Sequence, residues 1–581
     1  MMLPDIPYKT RTKKVMQTQF GGLDRRKAAG NGTIERMQDM SSDAWPMICR
    51  RKPRTYFTAL EGEPRGFFAN GGTIFVVDKT SGGAVLKCAS YKPDSAWAPS
   101  LDMLETIGTL PGSADSRRHF AALGERVVIW PDKVIVYYDT TTVPVGWRME
   151  SLGAGTAPGD LTGGTIGDGT YAGVQAELNT LYHPNASFDW TTLFKEGDGL
   201  TISGTSGRQN DMTVVVREIE GNQLRFNVNT FAAEETLSNA VTVKRAVPDL
   251  DYICSNENRV WGCKDDTIWA CKPGDPRNWY VFDGISTSSW FVQSGTAGRF
   301  TGCVSYGGYP VFFKEDQIIK VYGNRATNYE LSTAPQPGVI DGADRSLAVV
   351  GSALMYLSRD GFVQYTGSYP RKIDAALDTR YVDAVGGNDR MKYYVSAKQA
   401  DGTDEMLVYD IRYGCWHQES GTAAYMAYSY GLVSLMHTSL GNEEATWWIV
   451  ILGDPVTLPP EYAGTEVPYY WVNYVEFGDW DMQSFDSKYP TRVWLRVDGT
   501  PDARLSSEDP SMSILVAVSY DGAEFENAGQ FFLPEARKSA YLPLPIRRCD
   551  HFRLRITGVL GAWTLRAIEM ELYAGPESRI P

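Results

Sequence analysis

Short apolar runs separated by polar turns recur along most of the chain. Residues 66–83, GFFANGGTIFVVDKTSGG, place two such runs around an Asn-Gly-Gly turn. Residues 258–279, NRVWGCKDDTIWACKPGDPRNW, place two more around Asp265 and Asp266. Apolar runs that flank a short turn of Gly, Asn or Asp predict β-hairpins. Helical periodicity is nearly absent, so we expect a chain built almost entirely of β-strands.

The spacing of these hairpins is regular over a long stretch. From Trp261 onward, equivalent strand centres lie about 40–50 residues apart, the length of a four-stranded propeller blade. A β-sandwich is the alternative, but sandwiches lack so regular a long period. The pattern therefore predicts an all-β fold, a β-propeller of about 6–7 blades. The strand centres fall near Phe75, Ile129, Trp261, Phe312, Tyr356, Val408 and Ile449.

Two segments depart from this period and predict further domains. A Gly/Thr-rich run at residues 153–169 opens a set of short strands ending near Val247, which predicts a small β-barrel inserted between blades. After residue 454 a Pro-rich linker leads into strands with one apolar and one polar face, which indicates a C-terminal β-sandwich-like module. The predicted division is an N-terminal basic arm, the first part of the propeller, the inserted barrel, the remainder of the propeller and the C-terminal module, at residues 1–56, 57–147, 148–247, 248–458 and 459–581.

Charge is distributed unevenly along the chain. The formal net charge of −14 argues against a DNA-binding regulator, because phosphate neutralisation supplies most of the affinity for nucleic acid. Residues 1–56 contribute +7 and leave −21 on the rest. A basic arm on an acidic body is typical of a segment that docks onto another subunit or an acidic partner, with a solvated terminus as the alternative. The residues expected to make this contact are Arg25, Arg26, Lys27, Arg50, Arg51 and Lys52.

Side chains suited to catalysis or metal binding form no recognisable constellation in the sequence. The five histidines stand in separate strands or loops, and Cys254, Cys263 and Cys271 lack the paired spacing of zinc sites. No phosphate loop, calcium loop, GxSxG or HExxH motif occurs. We therefore expect no catalytic, cofactor-binding or metal-binding residues and no enzymatic activity. A propeller glycoside hydrolase is the enzymatic alternative, because a carboxylate pair could lie anywhere among 70 acidic residues.

The sequence also bears on targeting to the secretory pathway, on membrane insertion and on the redox state of the cysteines. Residues 1–20 lack the apolar segment of a signal peptide, and no run of about 18 apolar residues occurs, so we expect no stable membrane insertion. The eight cysteines are dispersed over the chain, and we expect them to be reduced and mostly buried.

Three stretches together resemble a known protein family. They are FGGLDRRKAAGNGTIERMQDMSSDAWPMICRRKPR at residues 20–54, the hairpin at 258–279 with the two hairpins that follow it, and AYLPLPIRRCDHFRLRITGVLGAWTLRAIEMELYAG at residues 540–575. With them the chain resembles the tail nozzle, or tail tubular protein B, of short-tailed bacteriophages and related tail-hub proteins. The resemblance extends over nearly the whole chain.

The resemblance implies a structural role in a virion. Such proteins are β-propellers with inserted and appended β-domains that form a ring of six copies below the portal-bound adaptor protein and carry tail fibre or spike proteins. The ring is the conduit and closure for genome ejection, so the chain would assemble in the host cytoplasm, reside in the tail and contact genomic DNA only transiently. Its acidic body would repel phosphate and let DNA slide. The alternative is a receptor- or glycan-binding propeller, since surface Tyr and Trp can stack on sugars.

Overall fold

A computed structural model describes residues 11–26, 32–90, 104–167, 178–232, 234–429, 432–438, 445–452, 464–465, 473–482, 484–500, 512–533 and 538–574. Within them, the regular structure is β-strand apart from three single-turn 3-10 helices at Trp190–Thr192, Ser206–Arg208 and Asp344–Ser346. The chain divides into two compact units. One comprises residues 60–95 and 102–344, and the other includes residues up to 59 and from 345 onward.

Four antiparallel sheets of the first unit have the strand order of propeller blades, in which each strand pairs with the next along the chain. Their middle strands are the most apolar, as in RVVIW at residues 126–130, where four of the five side chains are buried. Blade 1 contains Glu63–Asn70, Thr73–Thr80, Gly83–Ser90 and Glu105–Thr109; blade 2 contains His119–Leu123, Arg126–Trp130, Val134–Asp139 and Gly146–Ser151. Blade 3 contains Tyr252–Asn256, Arg259–Lys264, Thr267–Ala270 and Trp290–Gln293; blade 4 contains Gly302–Tyr306, Tyr309–Lys314, Gln317–Tyr322 and Glu330–Ala334.

Three further blades belong to the second unit. Blade 5 contains Ala348–Val350, Ala353–Ser358, Gly361–Tyr365 and Arg371–Lys372; blade 6 contains Tyr381–Asp389, Lys392–Gln399, Asp404–Asp410 and Cys415–Glu419. Blade 7 contains Ala423–Tyr428, Leu432–Thr438 and Thr446–Leu452, and Thr55–Ala59 from the beginning of the chain pairs with its third strand, followed by Gly464–Thr465. Seven blades among the described residues confirm the predicted β-propeller.

The core of the propeller lies between successive sheets. Apolar clusters join blade 1 to blade 2, blade 2 to blade 3, and blade 3 to blade 4. In the second unit a similar cluster joins blades 6 and 7. Burying apolar side chains between sheets excludes water from both faces, which is the main driving force for stacking them.

The hairpin at residues 258–279 is the middle of blade 3. Cys263 pairs with Ile268 across it, and Asp265 and Asp266 form the two-residue turn between Lys264 and Thr267. Asp265 adopts a φ of 53°, which a tight turn between antiparallel strands requires. Trp261 is buried and packs between the blades, so this Trp- and Cys-rich stretch is a structural element.

The inserted domain follows blade 2 and has a core of its own. The eight strands described in it form a five-stranded and a three-stranded sheet around buried side chains such as Trp190, Phe194 and Phe226. The last strand of blade 2 runs to Ser151, beyond the boundary at residue 147 that the sequence suggested. The strands are Thr165–Gly167, Leu178–Tyr182, Gly199–Ser203, Met212–Val215, Glu218–Glu220, Gln223–Asn227, Glu235–Thr236 and Thr242–Arg245.

The part of the C-terminal module that the structure describes forms two antiparallel sheets. One contains Lys488–Thr500, Lys538–Pro543 and Ala562–Ala574; the other contains Asn473–Phe477, Met512–Tyr520, Glu526–Leu533 and Phe552–Leu560. The Trp563 Nε1–H group of one sheet donates to Asn473 Oδ1 of the other over 2.5 Å. A Cβ on Gly558 would lie 2.0 Å from Trp563 Nε1, so only glycine permits this close approach of the two sheets.

The N-terminal segment completes both of these sheets, where the sequence suggested a separate arm. Arg11–Gln17, Met40–Ser41 and Ile48–Arg50 join the first sheet, and Ile34–Gln38 joins the second by pairing with Asn473–Phe477. Backbone hydrogen bonding is the physical reason, because an added strand pairs with the free N–H and C=O groups at the edge of a sheet. The segment is therefore part of the folded module.

Candidate functional site

The six basic residues predicted to dock a partner fall into different environments. Arg25 pairs with Glu405 of blade 6 at 2.7 Å, and Arg51 pairs with the buried carboxylate of Asp39 at 2.5 Å. Arg50 is buried and donates to the Gly561 carbonyl at 2.7 Å. These three side chains thus stabilise contacts inside the chain.

The other basic residues are placed differently. Arg26 forms an exposed pair with Asp24 at 2.6 Å, and its side chain is 55% exposed. Lys52 is exposed. Lys27 lies outside the described residues. Of the predicted docking residues, Arg26 and Lys52 are the ones that the structure places at the surface.

Arg51 and Lys52 also border a charged cavity of about 170 Å³, which we call the basic cavity. Ion pairs build its walls: Arg54 contacts Glu419 at 2.9 Å and Lys392 contacts Asp43 at 2.5 Å. Burial disfavours the charged form of Asp43, yet Lys392 and the Ser41 hydroxyl outweigh it and lower the pKa of that carboxyl. The charged lining residues are Asp43, Arg51, Lys52, Arg54, Asp389, Arg390, Lys392, Arg412 and Glu419.

The lining of this cavity carries more cations than carboxylates. Six of its lining side chains are basic and three are acidic, in a chain whose net charge is −14. The carboxylate of Asp410 also accepts from Arg412 at 2.7 Å and from the Ser42 hydroxyl at 2.6 Å. Sequence reasoning found Arg51 and Lys52 from the local charge run but missed the blade 6 residues, which lie over 300 positions away along the chain.

An aromatic cluster lies on blade 3 and the segment that leads to its last strand. Trp269 stacks on Phe291 with ring centroids 5.1 Å apart, and Phe282 contacts Phe291 at the same distance. Tyr280 lies against Trp269 at 5.1 Å. Phe282 and Phe291 are 46% and 48% exposed, so two large rings face solvent. Exposed aromatic side chains of this kind supply contact area for a partner.

The cysteines come together in a way that the sequence did not indicate. Cys254 and Cys263 of blade 3 and Cys303 of blade 4 share one apolar cluster. Hydrogen bonding with Cys303 raises the pKa of the Cys254 thiol, and burial raises it further. Burial likewise raises the pKa of Cys263. The thiols are thus held protonated, and a buried protonated thiol is a poor nucleophile. All eight cysteines are free.

No group of three or more His, Cys, Asp or Glu side chains in the described part of the chain is placed to hold a metal ion. Among the described residues, no helix is long and apolar enough to cross a membrane.

The chain was compared with family models, curated proteins and solved structures, and only solved structures match it. No family model matches the chain, and no curated protein matches it. Human WBSCR16 is 8% identical, with 74% of this chain and 93% of that chain covered and a TM-score of 0.27. The WD40 domain of Toxoplasma gondii coronin is 9% identical, with 73% and 88% covered and a TM-score of 0.25. Puromycin hydrolase is 9% identical, with 74% and 61% covered and a TM-score of 0.26. The strand order of its own sheets shows that the chain is a β-propeller protein.

Proposed function

We propose that this chain is a structural subunit of the tail nozzle of a short-tailed bacteriophage, located in the virion after assembly in the host cytoplasm. The observation that carries the proposal is the domain arrangement: seven blades, a domain inserted after blade 2 and a two-sheet module at the C-terminus. The resemblance of residues 20–54, 258–279 and 540–575 to nozzle proteins implies this arrangement.

A conduit subunit needs rigid walls and surfaces for a permanent interface. Stacked blades supply rigidity, because within each unit apolar clusters bury neighbouring sheets against each other. Permanent interfaces exceed about 2,000 Å² and are more apolar than transient ones. Large apolar side chains exposed in the single chain supply such surface, as at Val143, which is 96% exposed, and Phe485, which is 94% exposed. We expect neighbouring copies to bury them in a ring.

The oligomeric state of the purified full-length chain tests this proposal. A ring of identical copies, six by resemblance, is expected in light scattering and in negative-stain images. A chain that stays monomeric across the concentration range, and that a portal-bound adaptor does not recruit into rings, would contradict the nozzle function.

The surface cations of the N-terminal segment are the proposed contact to the adaptor or to a neighbouring subunit. Replacing Arg26 and Lys52 by Glu is expected to weaken ring formation or adaptor binding, because charge reversal turns attraction to an acidic surface into repulsion. Lys372→Glu with Arg547→Glu is the matched control, since those side chains are 55% and 54% exposed. Equal effects of the two double variants would remove these residues from the contact.

A glycan-binding propeller is the second candidate, and the aromatic cluster of blade 3 favours it. Phe282, Phe291 and Trp269 present ring faces of the kind that pack against sugar rings. Under this function the monomer would bind on a glycan array, and Phe282→Ala with Phe291→Ala would abolish the signal. Tyr322→Ala with Tyr428→Ala is the control, since those side chains are 42% and 41% exposed. A ring without glycan binding would exclude this candidate.

A further inference from the structure

A second cavity lies where the inserted domain meets blades 2 and 3. Its volume is about 590 Å³, within the range of about 300–1,000 Å³ that is usual for small-molecule sites. Blade 2 contributes Arg126 and Glu150, and the inserted domain contributes Lys195 and Arg245. Asp275 and Arg277 come from the segment after the third strand of blade 3. We call this the interdomain cavity.

The walls of the interdomain cavity are fixed by hydrogen-bonded charges. Arg245 Nε donates to Asp198 Oδ2 over 3.1 Å, and both side chains are at least nine-tenths buried. The other oxygen of Asp198 accepts from Asn278 Nδ2 at 3.1 Å, which ties the inserted domain to blade 3. Arg277 donates to Glu150 at 2.6 Å and so ties blade 3 to blade 2. A site with walls held in this way is preformed for a ligand.

Two cations of the lining take part in none of these ion pairs. Arg126 and Lys195 are exposed, and no carboxylate of the described residues lies within ion-pair distance of either. The lining also offers acceptors. Glu150 accepts from the Tyr137 hydroxyl and from Arg277, and Asp275 accepts from the Arg277 backbone N–H and from Asn278, so each carboxylate oxygen has one lone pair left. Guanidinium and ammonium groups bind carboxylates and phosphates, while carboxylates accept hydrogen bonds from hydroxyl groups.

We propose that the interdomain cavity binds an acidic saccharide of one or two sugar rings. Its carboxylate or phosphate would lie against Arg126 and Lys195, and its hydroxyl groups would donate to Glu150 and Asp275. The volume far exceeds that of a free inorganic anion, and the mixture of cations and acceptors fits a ligand that carries both an acid group and hydroxyl groups. This site is independent of ring formation.

Calorimetric titration of the full-length chain tests the proposal. The probes are a disaccharide that contains a uronic acid, a sugar phosphate, the neutral parent disaccharide and inorganic phosphate. At least one acidic sugar is expected to bind at least about tenfold more tightly than the neutral sugar and inorganic phosphate, as a charge-assisted contact provides. Equal affinity for inorganic phosphate, or no heat with either acidic sugar, would overturn the assignment.

A double variant locates the site. Arg126→Gln with Lys195→Gln is expected to weaken acidic-sugar binding about tenfold or more. Arg208→Gln with Lys244→Gln is the charge-matched control in the inserted domain, outside the cavity, and should bind as the parent does. Both variants should unfold at the parent's temperature and keep its oligomeric state. Unchanged binding in the first variant, or equal loss in both, would place the ligand elsewhere.

Discussion

Individual buried charges in this protein are held by specific partners. Arg118, at the entrance to blade 2, donates from Nε to Asp132 Oδ2 over 3.0 Å, and neither side chain is exposed to solvent. Asp132 Oδ1 also accepts from the Gly112 backbone N–H at 2.8 Å. A buried pair is costly to break, since removing one partner leaves the other charge without solvent or counter-charge.

Replacing Arg118 by Met is therefore expected to lower the free energy of unfolding by about 3–5 kcal/mol. Urea-induced unfolding followed by tryptophan fluorescence measures this loss. The control is Arg299→Met, which removes a pair with Asp341 whose side chains are 72% and 45% exposed. An exposed pair contributes about 0–1 kcal/mol, so similar losses in both variants would contradict the expectation.

His417 is a second residue whose burial has a measurable consequence. Burial, with a smaller contribution from Lys392, lowers its pKa from 6.5 to about 3. Below pH 6.5 the unfolded chain binds a proton at this histidine that the folded chain does not bind. The contribution of His417 to stability is therefore full above pH 6.5 and is lost progressively as the pH falls toward 3.

The parent should lose more stability on acidification than His417→Gln does. Between pH 6.5 and 3 the difference in slope is expected to approach about 1.4 kcal/mol per pH unit. Unfolding curves at several pH values measure it. Because the slopes are compared, a constant effect of the substitution on packing does not matter. Parallel pH dependences in the two proteins would show that His417 titrates normally.

At the scale of elements, the inserted domain is attached through two ends that meet. The Leu152 backbone N–H donates to the Lys133 carbonyl over 2.7 Å, and Lys133 Nζ donates to the Val247 carbonyl over 2.8 Å. One residue of blade 2 thus contacts both ends of the insertion. A domain with adjacent ends and its own core can be added to a loop without separating the strands on either side.

Replacing residues 153–246 by a short Gly/Ser linker should leave the blades folded. The expected result is retention of strand-rich circular dichroism and of a cooperative thermal transition, together with complete loss of acidic-sugar binding because the interdomain cavity is gone. A control linker of the same length in place of residues 308–331, inside blade 4, should unfold that unit. Equal stability of the two deletions would contradict the modular description.

At the scale of the whole molecule, the net charge sets the sign of the long-range force between this protein and a DNA duplex. With −14 overall, the chain should repel a duplex at distances within the Debye length. Under the proposed nozzle function this repulsion would favour ejection, since a genome that bound the wall would be retained. The basic cavity differs from this overall negative charge, because most of its charged lining residues are basic. Asp43, Asp389 and Glu419 are the carboxylates in its lining.

Purified protein is accordingly expected not to shift duplex DNA in a gel at about 0.15 M salt. Lowering the salt to about 0.02 M should not create binding either, because screening then weakens and repulsion grows. Binding that strengthens as salt falls would mean that a basic surface outweighs the net charge.

Contacts between neighbouring residues could be predicted from the sequence, whereas pairings between distant segments could not. The turn at Asp265 and Asp266 and its strand partners follow from neighbouring residues, so the hairpin of blade 3 was predictable. The pairing of Arg11–Gln17 with Ala562–Ala574 was not, because any edge strand of matching polarity could accept it. The same holds for Arg25 and Glu405, whose side chains meet only after blade 6 is folded.

The sequence by itself determined the all-β class, the repeated blades, the inserted domain and the strongly acidic balance, since strand period, turn residues and charge are local or additive properties. Only the tertiary structure decided that the N-terminal segment completes the C-terminal sheets, that Cys254, Cys263 and Cys303 share one cluster, and that Arg126 and Lys195 border one cavity. The physical reason is that a strand or side chain obtains its partner from the burial and hydrogen bonding of the whole chain, which no local pattern specifies.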